Sequence, residues 1–160
     1  DLFVSNVARQ NNRMFKNHGD WIFEEVTDRI HVRDGGVSNA SNALDIDNDG
    51  DLDLFVANVG GPNFYYTNDG RGNFSKVTTG PLVTSDQVSA SSAWGDYDRD
   101  GDLDVFVSNL DLNGSSGINQ LFRNDLNQNH WLHLSFVGAD ANTSALGTRV
   151  RAKANIGGQD

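Results

Sequence analysis

Two nonapeptides stand out for their chemistry: Asp45-Ile-Asp-Asn-Asp-Gly-Asp-Leu-Asp53 and Asp96-Tyr-Asp-Arg-Asp-Gly-Asp-Leu-Asp104. Both read D-x-D-x-D-G-D-L-D, with five acids in nine residues. Carboxylates at alternate positions of a tight loop repel one another unless a cation lies between them. Hard oxygen donors at this spacing suit Ca²⁺, which takes six to eight oxygens. In the first loop Asp45, Asp47 and Asp49 are expected to offer carboxylates and Asp51 its backbone carbonyl. Asp53 closes the shell with two oxygens, while Gly50 lets the chain turn back. In the second loop the same roles fall to Asp96, Asp98, Asp100, the Asp102 carbonyl and Asp104. The closing acid sits at position nine rather than twelve, so neither is an EF-hand loop. Mg²⁺ and Mn²⁺ could use the same oxygens, but flexible oxygen-rich loops favour Ca²⁺. The bland alternative is a pair of solvated acidic turns, and the matched phase of two copies argues against it.

Each loop runs into an apolar strand, and the elements around it recur. Asp1-Leu-Phe-Val-Ser-Asn6 matches Asp53-Leu-Phe-Val-Ala-Asn58 and Asp104-Val-Phe-Val-Ser-Asn109, at offsets of 52 and 51. A second box, N-x-x-aromatic-x-N, recurs at Asn12–Asn17, Asn63–Asn68 and Asn119–Asn124, at offsets of 51 and 56. The five extra residues fall in Asp111–Gly117, a segment with the composition of a surface insertion. Short β runs are expected at 41–44, 52–57, 64–67 and 74–77, the last two flanking a hairpin turn at Asn68–Gly72. About four short strands per ~50 residues, with no sustained helical period, is the pattern of a propeller blade.

The expected fold class is therefore all-β, with four-stranded antiparallel blades in a partial or open propeller. Residues 1–27 read as an incomplete blade. Residues 28–78 form a second repeat (linker 28–37, loop 45–53), and 79–137 a third (linker 79–87, loop 96–104). Residues 138–160 form a C-terminal strand segment. Asp1 aligns with the ninth loop position, so the chain reads as excised from a longer protein or as completed by another molecule.

The loop, the Phe-Val strand and the asparagine box together resemble the FG-GAP/VCBS repeat family, which includes the calcium-bearing blades of integrin α-chain propellers. Asn129–Leu134, Val137-Gly138, Asn142 and Ala145–Arg151 resemble the ASPIC/UnbV segment that follows such repeats in secreted proteins. The resemblance implies structural Ca²⁺ at the aspartates named above and an extracellular or cell-surface location. One departure is that Leu44 precedes Asp45 where Gly95 precedes Asp96, so the strand entering the first loop is expected to differ slightly.

The 160-residue chain has a formal charge of −10, and the two loops supply ten of its 22 acids. Two bound Ca²⁺ would bring the charge to about −6. This acidity argues against a nucleic-acid partner. There is no cysteine, and no apolar run approaches the roughly 18 residues of a membrane span. The four histidines share no metal spacing, and no G-x-S-x-G or P-loop occurs. Most aromatics, including Trp21, Trp94 and Trp131, are expected to pack within blades, leaving a few that could hold sugars. Sequons stand at Asn39, Asn73, Asn113 and Asn142. The expected function is a non-enzymatic module for surface or matrix interaction with a protein or glycan. One rival is a self-associating filament subunit, because open blades stack head to tail. The other is a domain of a secreted carbohydrate-active protein.

Overall fold

The computed structural model describes residues 1–112, 117–125, 134–138 and 147–151. The chain divides into two units, Asp1–His130 and Trp131–Asp160. In the second, the described residues form no strand. The C-terminal strand segment expected over 138–160 therefore shows no strand at 138 or 147–151, and its remainder lies outside the described residues. Most of the C-terminal resemblance, Asn113, Asn142, His130, Trp131 and His133 lie outside them too.

The described residues of the first unit are all-β, in three antiparallel sheets. Strands β1 (Leu2–Val4), β2 (Arg13–Asn17) and β3 (Phe23–Val26) form the first sheet. Strands β4 (Ser38–Leu44), β5 (Asp53–Asn58), β6 (Phe64–Asn68) and β7 (Phe74–Val77) form the second, in sequential order. Strands β8 (Ser89–Gly95), β9 (Asp104–Asn109) and β10 (Gln120–Phe122) form the third, with β9 central. Each sheet is open, in the manner of propeller blades. Among the described residues, helix is confined to a 3₁₀ turn at Ile30–Val32 and one α-turn, α1 (Pro81–Thr84). None is long and apolar enough to cross a membrane.

The strand entering the first loop does not differ from its counterpart. β4 and β8 are each seven residues long and pair in the same register, Leu44 with Asp53 and Gly95 with Asp104. Both irregularities fall at the same place, after Ser38 and after Ser89. Backbone pairing sets the register, so the Leu44/Gly95 exchange changes only a side chain. β4 also starts three residues earlier than expected, because Ser38 pairs with Asn58.

Side chains alternate across a strand, and all six residues of β5 are buried. Phe55 and Ala57 pack with Val105, Val107 and Ile46 toward the third sheet. Leu54 and Val56 pack with Tyr66, and against Phe3, Phe64 and Phe74, toward the first. A strand covered on both faces must be apolar throughout, which is why Leu-Phe-Val-Ala is unbroken. The two linkers fold over these cores: His31 and Val32 of the 3₁₀ turn are buried, and Val83 of α1 is buried beside Leu82. The outward faces of the end sheets are barer, with Leu2 50%, Phe106 43% and Leu121 55% exposed.

Trp94 packs edge-on against Phe55, ring centroids 5.3 Å apart. Trp21 does not pack in a blade. It sits at positive φ in the β2–β3 turn and is 88% exposed.

The asparagine boxes close the β5–β6, β9–β10 and β1–β2 turns. Asn58 N–H donates to Asn63 Oδ1 at 3.0 Å, and Asn109 N–H to Asn119 Oδ1 at 2.9 Å. Asn6 N–H donates to Asn12 Oδ1 at 2.8 Å. The partner amides donate to the carbonyls of Pro62, Ile118 and Asn11. Ser38 and Ser89 hydroxyls cap Asn58 and Asn109 from the neighbouring strand. Side chains thus satisfy buried backbone groups where the ladder ends.

Candidate metal centre

Both nonapeptides connect the first two strands of a sheet, β4 to β5 and β8 to β9, and both turn in the same way. Asn48 and Arg99 take φ of 56° and 68°, and Gly50 and Gly101 both take 95°. Glycine holds the latter conformation without steric strain. Asp45 accepts from the Asp49 and Gly50 N–H groups at 3.0 and 3.1 Å. Asp96 accepts from those of Asp100 and Gly101, both at 3.1 Å. Asp49 and Asp100 each accept from the N–H two residues on. These Asx turns hold the loops curled, so that alternate acids face inward.

The ninth acid is an anchor. Asp53 and Asp104 are 0% and 2% exposed. One oxygen of each accepts from the last asparagine of the box, Asn68 N–H at 2.9 Å and Asn124 N–H at 2.8 Å. The other accepts from position two of its own loop, Ile46 N–H at 3.3 Å and Tyr97 N–H at 3.0 Å. Asn17 N–H holds Asp1 in the same way at 2.8 Å. The sequence shows the box and the loop recurring together, and this bond is the reason.

In the first loop, carboxylate oxygens of Asp45, Asp47 and Asp49 lie within 4.8 Å of one another. In the second, Asp96, Asp98 and Asp104 do so, as do Asp98, Asp100 and Asp125. Oxygens on a shell of about 2.3–2.6 Å radius lie up to about 5 Å apart, so the carboxylates of each group are close enough to share a metal ion, and the two groups of the second loop have Asp98 in common. Asp53 is outside the first group. The Tyr65 hydroxyl donates to its Oδ2 at 3.2 Å, and the third repeat has Leu121 at the equivalent position, with no hydroxyl to offer. Asp51 and Asp102 turn their carboxylates elsewhere. A side chain at Gly70 would collide with that of Asp51, and that of Asp102 accepts from Asn48 at 2.9 Å. Only their backbone carbonyls are left for the role expected of them. Asp125 was not foreseen; its signal is its place directly after the box. Arg123 pairs with it at 2.8 Å and with Asp98 at 3.7 Å.

Burial, then the neighbouring Asp53 and Asp49, push the Asp47 carboxyl above its ordinary value. Burial, then Asp100 and Asp104, do the same to Asp98. Burial raises Asp53, against the pull of its three donors. A positive charge beside these carboxylates, whether a proton or a cation, would offset the cost of burying them together.

The FG-GAP-like repeat pattern matches residues 1–56 and 45–107. The chain belongs to the FG-GAP-like repeat family. It is similar to cartilage acidic protein 1 of Mus musculus, 30% identical over 127 residues, which are 77% of this chain and 19% of that protein. To the Homo sapiens protein of the same name it is 28% identical over 127 residues, with the same coverage. The chain thus spans about a fifth of the length of these curated relatives.

Proposed function

We propose that each loop binds one Ca²⁺ and that the chain is a calcium-stabilised, non-catalytic extracellular module for surface or matrix interaction. The observation that carries this is the repeated loop geometry: two turns of the same φ pattern and the same amide bonds, each gathering three carboxylates within 4.8 Å. Asp45, Asp47 and Asp49 would hold the first ion, with the Asp51 carbonyl and Asp53 at its margin. Asp96, Asp98, Asp100, Asp104 and the Asp102 carbonyl would hold the second. The ion supplies charge neutralisation, and the chain's residues hold the turn and the strand junction against it. In this reading the dense acid clusters hold ions and are not a catalytic pair. An extracellular place is supported by the family and by relatives named for cartilage, and the partner is a protein or glycan.

Isothermal titration with Ca²⁺ tests this. Two ions per chain are expected, with one lost in Asp47→Asn and the other in Asp98→Asn. No binding heat in the folded wild type would overturn the reading. A second reading, head-to-tail self-association into a filament, is favoured by the bare outward faces at Leu2 and at Phe106 and Leu121. Light scattering that shows a concentration-independent monomer would remove it.

A further inference from the structure

The two loops touch. The side-chain amide of Asn48, at the apex of the first loop, donates to the Gly101 carbonyl at 3.1 Å and to Asp102 Oδ1 at 2.9 Å. Its neighbours on either side are Asp47 and Asp49, and both of its acceptors belong to the second loop. A return link runs the other way. Asn124 holds Asp104 through its backbone N–H at 2.8 Å and donates from its side chain to the Ile46 carbonyl of the first loop at 2.9 Å. Ile46 also packs in one apolar cluster with Val105, the residue after Asp104. Asp102 is 4% exposed, so its bond to Asn48 is shielded from water, and together the two bonds tie Gly101 and Asp102 to the apex of the first loop.

Resting on the reading that both loops bind Ca²⁺, we propose that the two sites are positively coupled and that Asn48 is the positioning residue that couples them. An ion in the first loop fixes Asp47 and Asp49 and therefore the side chain between them. That side chain in turn fixes Gly101 and Asp102 in the conformation the second ion needs. Linkage makes the effect reciprocal.

A double-mutant cycle read by calcium titration tests this. The second loop's Kd is measured in wild type, in Asp47→Asn/Asp49→Asn, in Asn48→Gly and in the triple variant. Glycine keeps the positive φ of Asn48 and removes its amide. Asn48→Asp serves as a second variant, of the same shape but without the donor. Disabling the first loop is expected to weaken the second about 5–10-fold when Asn48 is present, within the usual range of coupling, and less than about 2-fold when it is replaced. Equal weakening in both backgrounds, or none in either, overturns the coupling while leaving two ions bound. Absence of calcium binding at both loops of the wild type would instead remove the reading on which it rests.

Discussion

His31 offers the sharpest test of how the sheets are joined. It is 1% exposed, set between the first two sheets, with Phe74 4.4 Å away and Phe3 and Tyr66 at 6.3 and 6.1 Å by ring centroid. Its Nε2 contacts Met14 Sδ at 3.1 Å, and its Nδ1 has no hydrogen-bond partner. Burial, reinforced by Arg29 and opposed by Asp34, lowers its pKa to about 4. The unfolded chain, with a value near 6.5, binds the proton more readily. The stability His31 contributes is therefore fully present above about pH 6.5 and is lost as the pH falls toward 4. With those two values the loss by pH 5 is about 2 kcal/mol. Denaturant unfolding of wild type and His31→Leu at pH 7 and pH 5, in chelator, reads it. The wild type should lose about 2 kcal/mol more than the variant over this interval. Asp47, Asp53 and Asp98, whose carboxyls are raised, work in the opposite sense, and they do so in both proteins. Equal pH dependence of the two would refute the placement of a neutral histidine in this core.

Phe55, fully buried, should cost about 3–5 kcal/mol on replacement by alanine. Phe106, its counterpart one repeat on and 43% exposed, should cost clearly less by the same denaturant assay. Asn58→Ala removes the acceptor of the Ser38 hydroxyl proton and the donor to the Pro62 carbonyl, and should cost about 1–3 kcal/mol, read as a lower thermal midpoint. Asn124→Ala should lower both stability and calcium affinity, because its side chain reaches the first loop. A drop in stability alone would limit it to a strand cap.

The recurring motifs made the sheets legible because each local signal agrees with the others: an acidic turn, a strand, an asparagine box and a hairpin. The faces of those strands were less so. Phe55 and Phe106 occupy the same repeat position, yet one is buried and the other bare, since burial depends on which sheet lies alongside. Trp21 misled for a related reason: a large aromatic reads as core, but this one sits on a turn. The curl of the site was legible in Asp45 to Gly50. The anchoring of Asp53 by Asn68 and the bridge from Asn48 to Asp102 were not, because partners 15 and 54 residues apart meet only once the sheets have formed.

Thermal unfolding with millimolar Ca²⁺ and with excess chelator tests the central claim most directly. Each site held at about 100 times its Kd adds about 2.7 kcal/mol by mass action, so the account predicts a midpoint well above that of the chelated protein. It also predicts that Asp47→Asn/Asp98→Asn abolishes most of the difference. Superimposable curves with and without calcium would contradict it.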